Sequence, residues 1–239
     1  MKVEGRNAVY ELLKTDKEID KVLVQKDLKD DASKRLINTI RSKRVKLQVV
    51  DKYVIEKESE SKRSQGFIAY VSNYEYFDLE DVLDATCDKD GFVLILNEIM
   101  DPHNLGSIIR VAECAGVDGI IISKDRSAQV NDTVMRVSAG ALNHVKVARV
   151  TNVNNAIDKL KENGYWVFGA EAGGQSIYDT DLKGKIALVI GGEDSGVKKL
   201  TKEKCDGIIS IPMYGKINSL NASVACGIAV YEALRQRNW

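Results

Sequence analysis

The sequence is short of the residues that metal and disulfide chemistry require. It has two histidines, His103 and His144, and four cysteines, Cys87, Cys114, Cys205 and Cys226, none of them at a Cys-x-x-Cys spacing. That scarcity argues against a zinc site. Cys114 and Cys226 sit in small-residue helical runs and read as reduced, buried thiols. No apolar run is long enough to span a bilayer, which excludes a helical membrane protein. Residues 1–20, MKVEGRNAVYELLKTDKEID, carry charges where a signal peptide needs an apolar core, so a cytoplasmic protein is expected. No G-x-G-x-x-G follows an apolar strand, and no G-x-x-x-x-G-K-[ST] occurs anywhere. Both a conventional dinucleotide fold and a P-loop are thereby disfavoured.

Net charge is lacking too, with 35 basic and 35 acidic residues in 239, which at first argues against a nucleic-acid partner. The distribution is less even. Residues 1–73 carry 17 Lys+Arg against 12 Asp+Glu, a net +5, and the remainder is −5. A basic first part can hold a polyanion while an acidic second part does chemistry, although solvated faces also produce such an imbalance by chance. Hydrophobic and charged contents of 44% and 29% suit a soluble globular chain.

The first part alternates short helical and strand patterns. NAVYELLK has helical spacing with Asn7 as a potential N-cap. Strands are expected at 21–25, 45–50 and 66–74, and an amphipathic basic helix at 31–44. A small α/β domain over 1–73 follows. The acidic stretch 74–90 reads as a connector with room for a short helix. From 91 to 239 the rhythm is firmer. FVLILNEI is a near-continuous apolar strand, of the kind buried on both faces of a parallel sheet. Further strands are expected at 117–123, 145–150, 165–171, 185–193 and 207–213. Helices are expected at 104–116, 131–142, 152–164 and 219–237, with Gly116 and Gly164 closing two of them. Strict alternation predicts a mostly parallel sheet with helices on both faces, and ligands then bind beyond the carboxyl ends of its strands.

Three strand ends carry similar clusters: LNEIMDPHNLGSIIR, VIGGEDSG and IPMYGKINSLNAS. Each joins a buried strand, a glycine or proline, and polar side chains, and together they mark a candidate site. Gly191 and Gly192 leave space for close approach of a ligand, and Glu193 places an acid directly after an apolar strand. Arg110 stands in an otherwise apolar helix, where an arginine either snorkels to solvent or is paired at a site. Asn104 could cap that helix and expose amide donors to an anion.

NEIMDPHNLGSIIRVAECAGVDGIII, LVIGGEDSGV and ISIPMYGKINSLNASVACGIAVYEALRQR resemble, in order and spacing, the three motifs of the SpoU (TrmH-type) family of RNA ribose 2′-O-methyltransferases. The resemblance covers nearly all of 92–239. VEGRNAVYELL and SQGFIAYV are similar to the small substrate-binding domain, of a ribosomal L30e-like fold, that precedes the methyltransferase domain in the branch acting on a guanosine of 23S ribosomal RNA. The resemblance implies a C-terminal trefoil knot and a homodimer formed through the C-terminal domain, with the active site near the subunit interface. It also implies S-adenosyl-L-methionine held in a bent shape, largely by backbone groups. Carried over by motif position, the cofactor site comprises Gly169, Ala170, Gly191, Gly192, Ile211, Met213, Ser219 and Leu220, and the catalytic set Asn104, Arg110, Glu193, Ser219 and Asn221. No metal is implied. Between Ser219 and Asn221, Leu220 would pack on the cofactor, while Asn218 and Ser223 serve as turn and helix-start residues. A transfer RNA ribose as substrate, and a non-catalytic RNA-binding ribosome-assembly factor, stay open as alternatives.

Overall fold

The structure, a computed structural model, describes the chain apart from residues 1, 16, 72–73, 193–195, 218 and 239. It divides into two compact units, residues 1–75 and 76–239.

The first unit contains β1 (Lys2–Glu4), α1 (Arg6–Leu12), β2 (Ile19–Gln25), α2 (Asp31–Ser42), β3 (Leu47–Val50), α3 (Lys52–Glu58) and β4 (Phe67–Val71). The sheet order is β1-β4-β2-β3, with β2 and β3 parallel and the other pairs antiparallel. Strand alternation explains the layering. Val22, Val24, Phe67 and Ala69 point to one face with Val9, Leu12, Leu36 and Ile40 of α1 and α2. Leu23 and Ile68 point to the other, against Ile55 of α3. Sequence patterning did not reveal β1 or α3: both are short, and neither shows a full period. Asn7 is not a cap. Gly5, at φ 101°, precedes the helix and no side chain caps it. Asp30 does cap α2, accepting from the Ser33 amide at 2.9 Å.

The second unit begins inside the expected connector. Its elements are α4 (Leu79–Asp84), β5 (Phe92–Asn97), α5 (Pro102–Cys114), β6 (Gly119–Ser123), α6 (Asp132–Val137), β7 (Lys146–Val150), α7 (Val153–Glu162), β8 (Trp166–Ser176), β9 (Ile186–Gly191), α8 (Lys199–Lys204), β10 (Gly207–Ser210) and α9 (Ala222–Asn238). The stretch 76–90 is no free linker. Leu79 and Val82 of α4 are buried in the same core cluster as Val93 and Ile121. A Cβ on Gly119 would come within 2.6 Å of Val82, so glycine is required where α4 presses on β6.

All six strands of this unit are parallel, in the order β10-β8-β9-β5-β6-β7. Every residue of β5 is buried, as expected for a central parallel strand covered on both faces. Val93 and Ile95 meet α4 and α7 on one face, while α5 and α9 pack together and α9 lies against β9. Each buried Leu or Ile here contributes roughly 1.5–3 kcal/mol. The expected strict alternation fails once: β8 and β9 are joined through a single 3₁₀ turn, Ile177–Asp179, rather than a helix. β8 is longer than expected, and its register against β10 jumps. Ile208 pairs with Gly169 but Ile209 pairs with Gln175, so residues 170–174 have no partner in β10. Gly116 and Gly164 follow α5 and α7 at φ 71° and 83°, the left-handed geometry that favours glycine after a helix. Cys226 is buried as expected, whereas Cys114 is exposed; it lies on the outer side of α5. No helix among the described residues is long and apolar enough to cross a membrane.

Candidate functional site

The carboxyl ends of β8, β9 and β10 open into a cleft of ≈ 220 Å³. Its walls are built from three directions. Ala170, Glu171 and Ala172 come from the part of β8 that leaves β10. Ile190, Gly191, Gly192 and Gly196 come from the end of β9 and its turn. Ile209, Ser210, Ile211, Met213, Ser219 and Leu220 come from β10 and the segment after it, with Ala222, Ala225 and Ala229 of α9 behind. The walls are thus mainly apolar side chains and exposed backbone, a lining suited to a heterocyclic ligand oriented by few polar groups. The small residues of α9 permit this. Ala222, Ala225 and Ala229 recur at helical spacing on the face turned to the cleft.

Of the residues carried over as cofactor ligands, Ala170, Gly191, Gly192, Ile211, Met213, Ser219 and Leu220 line this cleft. Gly169 does not. A Cβ there would meet Ile208 at 2.9 Å and Cys205 at 3.4 Å, so its glycine serves packing under β10. The glycines at the end of β9 also serve the packing of the chain. A Cβ on Gly191 would collide with the Gly196 and Val197 backbone, and one on Gly192 with the Glu98 carbonyl. The close approach they permit is that of the chain to itself, and the cleft inherits the resulting bare backbone.

Among the expected catalytic residues, Asn104 and Asn221 are brought together. Asn221 Nδ2 donates to Oδ1 of the buried Asn104 at 3.0 Å. Asn104 is not the cap of α5. Asp101 has that role, accepting from the His103 amide at 2.9 Å ahead of Pro102, and Asn104 sits within the first turn. Asn221 also caps α9: its Oδ1 accepts from the amides of Ser223 at 3.0 Å and Val224 at 3.3 Å and from the Ser223 hydroxyl at 2.6 Å. One asparagine therefore ties the start of α9 to the first turn of α5. Arg110 is exposed and has no ion-pair partner among the described residues. Glu193 and Asn218 lie outside the described residues. Ser219 reaches the cleft wall from an exposed position.

Two further acids near the cleft, Glu98 after β5 and Glu171 within β8, were not singled out from sequence. Glu98, at φ 64°, pairs with Lys198 at 3.0 Å and Arg126 at 3.7 Å. Glu171 lines the cleft; its carboxylate accepts from the Val197 amide at 3.2 Å and is ion-paired with Lys202. In the sequence both stand at the end of an apolar run, the signal that singled out Glu193, although β8 continues past Glu171 to Ser176. Burial pushes the Cys205 thiol up to about 11 and the Cys226 thiol up to about 12, so neither supplies a thiolate nucleophile at neutral pH. No cluster of His, Cys, Asp and Glu among the described residues could hold a metal ion.

Comparison with known proteins gives this geometry a family. The sequence model described as "SpoU rRNA Methylase family" matches residues 91–231, and that described as "RNA 2'-O ribose methyltransferase substrate binding" matches residues 2–77. A Staphylococcus saprophyticus protein, provisionally named a TrmH family tRNA/rRNA methyltransferase, is 43% identical over 99% of this chain and 96% of its own length. A counterpart from Staphylococcus aureus is 41% identical over the same shares. The fold is shared with the SpoU methyltransferase AviRb from Streptomyces viridochromogenes, crystallised with AdoMet, at a TM-score of 0.63 and 24% identity, covering 99% of this chain and 90% of that one. The A. aeolicus TrmH/SpoU tRNA modifying enzyme superposes at a TM-score of 0.57 and 27% identity over 66% of this chain and 81% of its own. With a family match across most of the second unit and relatives aligned nearly end to end, the chain belongs to the SpoU rRNA Methylase family of RNA methyltransferases.

Proposed function

We propose that the protein transfers a methyl group from S-adenosyl-L-methionine to a ribose 2′-hydroxyl of RNA, a guanosine of 23S ribosomal RNA being the favoured target, in the cytoplasm. The observation that carries this reading is the cleft at the ends of β8, β9 and β10, whose walls are those of the family's cofactor motifs in seven of eight positions. Its lining fits the cofactor: apolar side chains for an adenine face, bare backbone at Gly191 and Gly192 for close approach, and little charge. In this reading Ile211 and Met213 precede the last turn of a trefoil knot, Ser219 and Leu220 lie within it, and two chains associate through the second unit. Val224 and Tyr231, half exposed on α9, favour such an association, as does Arg110, which faces solvent in the single chain.

The bound cofactor supplies a methyl on a sulfonium. The chain's own task is to hold a ribose hydroxyl in line with it, which can contribute roughly 7–11 kcal/mol through proximity, and to keep the cleft dry and nearly uncharged while positive charge disappears. A guanidinium has a pKa above about 12, so Arg110 is assigned to gripping the neighbouring phosphate and stabilising the developing alkoxide rather than to taking the proton. Asn221, Ser219 and Asn104 are assigned to the pocket side of that hydroxyl, with the Asn221–Asn104 bond fixing their orientation, and Glu193 to orienting Arg110.

The first unit is assigned to RNA capture, as a small L30e-like domain. Arg41, Lys43, Arg44 and Lys46 run from the end of α2 into β3 and have no ion-pair partner among the described residues, which suits phosphate contacts and a salt-dependent affinity. The test is in vitro methylation of total RNA with labelled S-adenosyl-L-methionine, followed by mapping of 2′-O-methyl sites. Label at a guanosine of 23S RNA is expected. Label confined to transfer RNA would move the target to that class, and cofactor binding without transfer to any RNA would leave an assembly factor.

A further inference from the structure

Glu171 is the one ionisable side chain among the described residues that line the cleft. Its place is built rather than incidental. Gly196, at φ 57°, stands where a Cβ would come within 3.3 Å of the Glu171 carboxylate, so glycine leaves room for the acid. One carboxylate oxygen accepts the Val197 amide at 3.2 Å and the other is paired with Lys202. A carboxylate has about four acceptor sites, so capacity remains on the side that faces the cleft. The acid sits where β8 has left β10 and the strand edge no longer consumes the neighbouring backbone.

We propose that Glu171 is the specificity residue that recognises the ribose 2′,3′-diol of the nucleoside bound in this cleft, which rests on the S-adenosyl-L-methionine reading above. The charge pattern selects the diol from the cofactor's other donors. Lys202 already neutralises Glu171, so the pair offers acceptors without net charge. That suits two neutral hydroxyls better than an ammonium, which gains most from an uncompensated carboxylate. It also adds little anionic field to a site where a sulfonium must lose its charge.

The experiment is calorimetric titration of the full-length protein, as wild type, Glu171→Ala and Glu171→Gln. The ligands are S-adenosylhomocysteine, 5′-methylthioadenosine, which keeps the ribose and lacks the amino acid, and its 2′-deoxy counterpart. Wild type should prefer methylthioadenosine over the deoxy ligand by about tenfold or more, the scale of a hydrogen bond to a charged group. Glu171→Ala should erase that preference, and Glu171→Gln, which keeps an acceptor, should retain part of it. If Glu171→Ala and Glu171→Gln weaken both nucleosides equally and the ratio persists, the residue acts only through Val197 and Lys202 and the proposal fails. Loss of S-adenosylhomocysteine affinity alone would assign Glu171 to the amino group and also overturn it. Failure of wild type to bind any of the three ligands would instead sink the cofactor reading itself.

Discussion

The two units use the same kinds of element for opposite ends. The second covers a six-stranded parallel sheet with helices on both faces, so its β5 has no exposed residue. The remaining open ground lies at the strand ends, and there the chain leaves a concave, mainly apolar cleft. The first unit has four strands of at most seven residues and offers a charged surface. Its cation-rich turn includes Arg44 at φ 55°, the residue after the α2 cap. There the Val45 amide closes back on the Ile40 carbonyl at 3.2 Å. Glycine or asparagine is the favoured occupant of such a position, and a left-handed non-glycine residue costs roughly 1–2 kcal/mol. Under the proposed function, shape serves the small ligand and charge the long one.

The sharpest way to break this comparison is to remove one side. Deleting residues 1–75 should leave S-adenosyl-L-methionine affinity within about threefold, because every cleft residue lies in the second unit, while methylation of the native RNA site falls by roughly a thousandfold with the phosphate contacts. Calorimetry showing that the shortened chain no longer binds cofactor would mean that the units are not separable in function. Within the second unit, Arg110→Lys should lower single-turnover methylation by about a hundredfold with cofactor affinity unchanged, since the fork that can grip phosphate and alkoxide together is lost. Near-wild-type transfer would show that a point charge suffices.

Much of the second unit was legible because a buried parallel strand has an unmistakable composition. FVLILN can only be covered on both faces, and NLGSIIRVAEC only amphipathic or buried. The first unit was less so, since β1 and α3 are shorter than the windows in which periodicity shows. The short helix expected in the connector is there, but its burial was not legible for a related reason: α4 has only two core residues, Leu79 and Val82, among acids, and burial there is decided by the sheet it meets. At the site, motif position identified the strand ends but not what each residue does. Gly169, carried over as a cofactor ligand, packs against Ile208, and Asn104, which local sequence offered as a cap, instead bonds Asn221. Such roles depend on partners distant in sequence, which no local spacing encodes. Glu171 shows the converse: it ends the apolar run YWVFGA, a signal like the one that flagged Glu193, and that signal was unused.

The double duty of Asn221 sharpens the comparison inside the second unit. Asn221→Ala removes the α9 cap, worth about 1 kcal/mol, and the bond to buried Asn104, worth about as much again. Urea unfolding of that unit should therefore show a loss of about 2 kcal/mol. Asn221→Asp keeps the capping acceptor and loses the donor, so about half the loss should return. Equal losses in both variants would show that the cap contributes nothing and that the Asn104 bond alone holds the two helices.

The smallest effect belongs to the first unit and separates it by pH. Burial pushes the Asp20 carboxyl up to about 6, against the pull of the neighbouring Lys21 charge. A carboxyl whose folded value lies above its unfolded value binds more protons when folded, so its contribution is present below about pH 4 and is lost as pH rises through about 6. Glu4 runs the other way. Burial would raise it, but hydrogen bonds from Ser61, the Glu60 amide and Ser59 hold it at about 2, so its contribution is lost only as pH falls from about 4.5 toward 2. The windows barely overlap. Thermal unfolding of the first unit should thus weaken slightly between about pH 4 and 6 in the wild type and show no such slope in Asp20→Asn, while the second unit, followed in the same scan, keeps its profile in both proteins. A slope that persists in Asp20→Asn would assign it to another group and leave the carboxyl at its ordinary value.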